Sequence, residues 1–390
     1  MSGAPGNTTI FTTMTALAEQ TGAINLGQGF PDEDGPKIVI DAAVDALRGG
    51  HNQYAPLPGI PALRAAIAEH QRRRYGIELD PDTQVQVTFG ATEALASALL
   101  ALVQPGDEVA MLDPSYDSYA AVVSLAGGVA RPIPLSPPDW RVTEDAVAAA
   151  VSARTRVLLV NSPHNPTGRV LGADELDLLA AACREHDVIA LTDEVYEHLV
   201  YDGTHIPLAT RPGMAERTIT VSSLGKTHSF TGWKIGWATG PAELVAALRG
   251  VKQYLSFAGG TPLQHAAAVA LEQASGEPAK LAASLAEKRD LLAAGLRAAG
   301  FDVLPTAGTY FLTADVRPLG FDDAVVFCER LPLEAGVVAI PTSAFTADPA
   351  DRTRSLVRFA FCKRREVLED AIARIGAWSS RKHSGPAHQG

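Results

Sequence analysis

The sequence predicts an α/β protein: a large domain around a mostly parallel sheet, with a second, smaller α+β domain. Two observations predict it. Short apolar or alternating runs, at Val85–Phe89, Glu108–Leu112, Val157–Val160, Val188–Leu191 and Thr218–Val221, are separated by helical stretches such as Asp174–His186. Buried strands connected through helices pair in parallel, because a parallel connection needs a long crossover. Each run also ends in a polar or glycine-rich cluster, and in such sheets ligands sit beyond the carboxyl ends of the strands.

Composition bounds the function. The 390 residues are 46% hydrophobic, enough for a large core in two domains, and the formal charge is −11. That charge argues against nucleic acid as a partner, since phosphate backbones need clustered Lys and Arg. Cys183, Cys328 and Cys362 are widely separated and form no metal-ligand spacing, so no metal is expected and the thiols read as reduced core residues. No long charge-free apolar span suggests a membrane helix. The first basic residue is Lys37, so no secretory signal is expected, and a cytoplasmic location fits.

In chain order, an amphipathic segment around Ile10–Leu17 precedes LGQGFPD (Leu26–Asp32), whose two close glycines mark a near backbone approach or an ordinary turn. Lys37–Arg48 has helical spacing through Ile38, Ile40, Ala43, Val44 and Leu47 and stops at Gly49-Gly50. A loop carrying Tyr54 follows, and Pro61 opens a helix to about Tyr75. Val85–Phe89 runs into Gly90-Ala91-Thr92, where a helix begins. Such a turn offers free N–H groups and a hydroxyl to an anion, and it is not a Walker loop. After Pro241 come helices to Leu255 and beyond Pro262. Pro278–Gly300 forms a long helix with Leu281, Leu285, Leu292 and Leu296 on one stripe. Strands follow at Phe301–Leu304, Tyr310–Val316, Val337–Ile340 and Leu356–Phe361, and a helix closes the chain near Glu366–Trp378. The boundaries expected are an N-terminal arm (1–35), a large domain (36–275), a small domain (276–378) and a disordered tail (379–390).

Gly90–Thr92, Tyr116, Asn165, Asp193, Tyr196 and Lys226 should then converge on one crevice. Singly, each has a bland reading: Lys226 a solvated loop lysine, Asp193 a helix cap, Asn165-Pro166 a turn, Tyr116 a core residue. Together they suit one cofactor, a pyridine aldehyde phosphate. Lys226 follows a buried strand and is placed to hold the aldehyde. Asp193 supplies the fixed carboxylate that keeps the ring nitrogen protonated. Asn165 and Tyr196 suit the phenolic oxygen, and Tyr116 the ring face. Gly90, Ala91, Thr92, Ser223 and Lys234 suit the phosphate.

These residues lie in LGQGFPD, NQY (52–54), GATEAL (90–95), DPSYDSY (113–119), NSPHNPTG (161–168), TDEVYEHLVYDG (192–203), SSLGKTHSFTGWKIGW (222–237) and VRFAFCKR (357–364). Over nearly its whole length the chain resembles the class I/II aminotransferases, fold type I pyridoxal-phosphate enzymes. The resemblance implies ping-pong transamination between an amino acid donor and a 2-oxo acid acceptor, with Lys226 as the proton carrier. It implies a homodimer with shared active sites, in which Tyr54 reaches the phosphate of the partner's cofactor. It also implies that Arg358 grips the substrate α-carboxylate, with Gly29 and Asn165 nearby. Lys234 stands where many members have arginine. No arginine occurs in Gln253–Pro262, which disfavours a dedicated aspartate aminotransferase. Within the family the chain is similar to kynurenine, glutamine and methionine transaminases, some of which also run β-elimination on cysteine conjugates. It is also similar to N-succinyldiaminopimelate aminotransferases of lysine biosynthesis, notably in NLGQGFPDEDGP and TDEVYEHLV. The second is the reading taken. A regulator with an aminotransferase-like domain is the non-enzymatic rival, and LGQGFPD beginning at Leu26 leaves no room for its DNA-binding module.

Overall fold

The computed structural model describes residues 10–346 and 352–383. Its main element is a seven-stranded sheet in the order Val85–Phe89, Ile235–Thr239, Thr218–Ser223, Ile189–Asp193, Thr155–Asn161, Glu108–Asp113, Val129–Pro134. Five of these strands, from Thr218–Ser223 to Val129–Pro134, run parallel to one another. Ile235–Thr239 is antiparallel to both of its partners. Glu108–Asp113 and Thr218–Ser223 are buried at every residue, which is why they read as unbroken apolar or β-branched runs rather than alternating ones.

Two strands differ from expectation. Val129–Pro134 reads VARPIP and was not anticipated, because proline cannot donate to a ladder; it sits at the sheet edge, where one side needs no partner. Ile235–Thr239 is not among the strands expected from the sequence, and all five of its residues are buried. Its Gly236 is there for a packing reason. A Cβ at Gly236 would lie 2.5 Å from the Gly90 carbonyl carbon and 2.7 Å from the Ala91 nitrogen. The strand therefore passes directly beneath the start of the Gly90–Leu102 helix.

The four-stranded sheet is antiparallel, in the order Ile340–Pro341, Leu356–Ala360, Phe311–Asp315, Asp302–Val303. The expected single strand Val337–Ile340 is split. Val337–Val338 pairs in parallel with Ile24–Asn25, and Ile340–Pro341 joins Leu356–Ala360. The chain thus hands over between sheets at Ala339, and ties the N-terminal segment to the C-terminal third. Behind the sheet, the Glu277–Ala298 helix packs on the closing Arg365–His383 helix. Leu285, Leu292 and Leu296 are buried as the stripe predicts, with Leu281 partly covered.

The closing helix passes the expected end at Trp378. Ser379 is buried and donates to the Ala299 carbonyl at 2.8 Å, so the expected disorder fails for 379–383; residues 384–390 lie outside the described residues. The Lys37–Arg48 helix has its expected bounds, but its buried face is Val39, Ala43 and Ala46, leaving Ile38 and Leu47 exposed. Among the described residues no helix is long and apolar enough to cross a membrane.

Two predictions follow from this packing. Gly236→Ala presses a methyl group into backbone that cannot give way. We expect about 1–3 kcal/mol of lost stability in denaturant unfolding, with weaker phosphate binding at the displaced helix start. Separately, burial pushes His164, His198 and His228 from the ordinary 6.5 down to about 4. Between those values the unfolded chain binds protons that the folded chain does not. Stability is therefore full above pH 6.5 and falls as pH drops towards 4, as thermal melts across that window will register.

Candidate active site

The strand ends converge as anticipated. A cavity of about 340 Å³ opens at the carboxyl ends of the parallel strands, and Gly29, Gly90, Ala91, Thr92, Tyr116, Asn165, Asp193, Tyr196, Ser223, Lys226, Lys234 and Arg358 all line it. Tyr54 does not. It is 80% exposed, packed edge-on against Phe257 at 5.6 Å.

Lys226 stands on the short turn of helix Leu224–Thr227 that ends the central Thr218–Ser223 strand. Its Nζ donates to the Tyr310 hydroxyl at 2.8 Å. Burial is the main influence on its pKa and lowers it from 10.5 to about 8, against the opposing pull of Cys362 and Asp193.

Asp193 closes the adjacent parallel strand. Its Oδ2 accepts from Tyr119 at 2.6 Å and its Oδ1 from the Val195 amide at 3.3 Å. Burial raises its pKa, opposed by those hydrogen bonds and by the Lys226 charge. A buried carboxylate in this state gains from a cation placed before it.

Asn161 and Asn165 link this strand to Arg358. Asn161 donates to the Asp193 carbonyl at 2.8 Å, and its Oδ1 accepts from the Asn165 amide at 2.7 Å. Asn165 Oδ1 then accepts from Arg358 Nη1 at 2.9 Å. Arg358 Nη2 donates to the Gly27 carbonyl at 2.9 Å. The guanidinium lies 3.9 Å from the Phe311 ring centroid and 4.4 Å from that of Phe345. It is 1% exposed, its Nε has no partner, and burial lowers its pKa to about 10. Among the described residues no carboxylate forms a salt bridge with it.

At the other end of the cavity the Gly90–Leu102 helix begins. Gly90 has φ +70°, and a Cβ there would lie 3.3 Å from Lys234 Nζ. The ammonium thus faces the helix N-terminus, with the Ser223 and Thr92 side chains on the same wall. Free amides, hydroxyls and a cation make an anion cradle. Tyr116 stands edge-on to Tyr119 at 5.7 Å.

The donor set fits pyridoxal phosphate. The cradle matches its phosphate, the buried Asp193 its ring nitrogen, and Lys226 its aldehyde. Sequence reasoning missed Tyr119, Asn161 and Tyr310, which set the positions of Asp193, Asn165 and Lys226. Tyr119 and Asn161 fall inside quoted motifs and could have been found there. Tyr310 precedes a strand and reads as core.

One further cluster has metal-ligand composition: His70, Glu197 and His198. Its groups are used internally. The two imidazole Nε2 atoms lie 2.9 Å apart, and the Glu197 oxygens accept from Tyr75 and Ser222, each at 2.5 Å. It braces the Pro61–Tyr75 helix against the strand ends.

Comparison with known proteins agrees with this geometry. Residues 21–375 match the family model described as aminotransferase class I and II. A probable N-succinyldiaminopimelate aminotransferase of Mycobacterium tuberculosis is 53% identical, covering 97% of this chain and 98% of its own length. The methionine aminotransferase of Escherichia coli is 43% identical, with 94% and 95% covered. The solved N-succinyldiaminopimelate aminotransferase of M. tuberculosis superposes with a TM-score of 0.94 at 54% identity, covering 96% of this chain and 98% of that one. The chain therefore belongs to the class I and II aminotransferases, and is a pyridoxal-phosphate-dependent enzyme of fold type I.

Proposed function

We propose that this aminotransferase takes N-succinyldiaminopimelate as amino donor and 2-oxoglutarate as acceptor, serving lysine biosynthesis in the cytoplasm. The observation that carries the substrate is the 53% identity, over nearly the full length of both chains, to the M. tuberculosis relative, against 43% to the methionine enzyme. A second reading, a methionine or kynurenine transaminase with β-elimination activity on cysteine conjugates, has one observation in its favour. The cavity wall carries Phe11, Phe30 and Phe311, and no cation besides Lys226, Lys234 and Arg358 lines it among the described residues.

The site residues divide the work as follows. Arg358, which lines the cavity, binds the α-carboxylate of the donor, a task that suits a planar guanidinium. Asn165 orients that guanidinium and reaches the cofactor's phenolic oxygen together with Tyr196. Tyr116 covers one face of the ring. Gly90, Ala91, Thr92, Ser223 and Lys234 hold the phosphate, and Gly29 keeps the cavity wall close. Asp193 holds a proton on the ring nitrogen. Pyridoxal phosphate, when bound, supplies the electron sink for the pair left on the substrate α-carbon. Lys226 moves the proton off that carbon and returns it elsewhere. A pKa near 8 rather than 10.5 makes its amine a usable base near neutrality. Donor and acceptor use the same groups in turn, in ping-pong order.

We further propose a homodimer whose shared sites use Tyr54 of each copy. Tyr54, Tyr254, Leu255 and Phe257 form an exposed apolar group at 80%, 85%, 52% and 44% exposure, which favours coverage by a second copy. The division into an arm (1–35), large domain (36–275) and small domain (276–378) is part of the same reading. The pairing of Ile24–Asn25 with Val337–Val338 supports counting the arm with the small domain.

The test of the donor is the visible spectrum of the cofactor-loaded protein as single amino compounds are added. N-succinyldiaminopimelate should bleach the yellow colour fastest. Faster bleaching by methionine or kynurenine overturns the donor assignment, and pyruvate with ammonia from a cysteine conjugate, without acceptor, reveals the elimination reading. Lys226→Ala should lose about 10²–10⁴-fold or more in kcat, the span of a positioned proton carrier. Arg358→Lys keeps the charge but loses the fork. Removing a hydrogen bond to a charged group costs about 1.5–3 kcal/mol, so kcat/KM should fall roughly 10–150-fold, mostly through KM for both donor and acceptor.

A further inference from the structure

Tyr310 is 1% exposed and lies one residue before the Phe311–Asp315 strand. Its hydroxyl donates to the Gly29 carbonyl oxygen at 2.5 Å, meets Lys226 Nζ at 2.8 Å, and is also hydrogen-bonded to the Tyr196 side chain. A phenol has one proton. The carbonyl has none to give, so the Tyr310 proton goes to Gly29, and the lysine must donate to the Tyr310 oxygen. The ring is not free to turn away. Tyr196 stands edge-on to it at 5.3 Å and 89°, and Phe311 packs against it at 4.8 Å. The Gly29 backbone lies flat on this aromatic pair: a Cβ there would sit 2.2 Å from Phe311 Cζ and 2.8 Å from Tyr310 Cε2.

We propose that Tyr310 is a positioning residue for Lys226: with its own proton committed to the Gly29 carbonyl, its oxygen holds one lysine N–H and so aims the amine. The inference rests on the assignment of Lys226 as proton carrier. It ties the lysine to the Leu26–Gly29 segment that also orients Arg358 through the Gly27 carbonyl. An acceptor favours the ammonium over the neutral amine, so the phenol also counteracts part of the burial that lowers the lysine's pKa.

The test is Tyr310→Phe in the full-length protein. In the cofactor-free form, the pH dependence of acetylation at Lys226 is read by peptide mass spectrometry, with Lys234 in the same sample as internal reference. We expect the Lys226 midpoint to fall by about 0.5–1 pH unit while that of Lys234 stays. In the loaded enzyme we expect kcat to fall about tenfold or more with donor KM within about threefold, as misaimed groups cost turnover rather than binding. An unmoved Lys226 midpoint overturns the inference, whatever happens to kcat. So does a loss that appears only in KM or in the thermal midpoint. Lys226→Arg separates the two levels: if it keeps turnover, the assignment of Lys226 itself falls, whereas its inactivity beside an unchanged Tyr310→Phe removes only the role of Tyr310.

Discussion

A guanidinium buried without a carboxylate is the constraint around which the site is arranged. Arg358 is 1% exposed, and an unpaired buried charge costs several kcal/mol unless oriented dipoles replace water. Here the dipoles are the Gly27 carbonyl and Asn165 Oδ1, with the Phe311 and Phe345 ring centroids 3.9 and 4.4 Å from the guanidinium. Each comes from a different element. Gly27 lies in the N-terminal segment, Asn165 in the turn after Thr155–Asn161, Phe311 on the neighbouring strand. Holding one cation in place therefore fixes these parts of the chain relative to one another, beside the cavity that Arg358 helps to line.

The same logic extends to the other charges. Burial drives Asp193 up, Lys226 down and Arg358 down. All three are displaced towards their neutral forms and line one cavity, whose other end carries the helix start at Gly90 and Lys234. The site stores electrostatic cost that binding relieves, which is how preorganised active sites hold their dipoles in place before chemistry.

Much of this was legible in the sequence, for a definite reason. A parallel sheet places every strand's carboxyl end on one edge, so polar clusters far apart in the chain must meet. Gly90–Thr92, Asn165, Asp193 and Lys226 were found by that rule alone. What the rule misses is the groups that hold them. Tyr310 looks like core because it is core: its ring packs among Tyr196 and Phe311, and only its hydroxyl reaches the lysine. Tyr119 is similarly 3% exposed, with one oxygen on Asp193. Pattern reading sees the apolar body of a tyrosine and not the direction of its tip. The fold was misread where local rules met tertiary ones. Two prolines in VARPIP hid an edge strand, a glycine in Ile235–Thr239 hid an interior one, and Ala339 divided an apparently continuous run between two sheets.

The segment Leu26–Gly29 shows why glycine spacing there carries meaning beyond a turn. Gly27 and Gly29 are two residues apart in a bent segment whose Gly27 and Gln28 amides donate to Asn25 Oδ1, and the carbonyl of each glycine serves a buried side chain. One accepts from Arg358 and the other from Tyr310, and through Tyr310 the second reaches Lys226. A side chain at either position collides with the opposite wall: Ile340 at 2.9 Å for Gly27, Phe311 at 2.2 Å for Gly29. Two backbone oxygens on one short stretch thus orient both the group assigned to bind substrate and the group assigned to move its proton. Any displacement of that stretch shifts the two together, so binding geometry and proton-transfer geometry in this site are mechanically one variable.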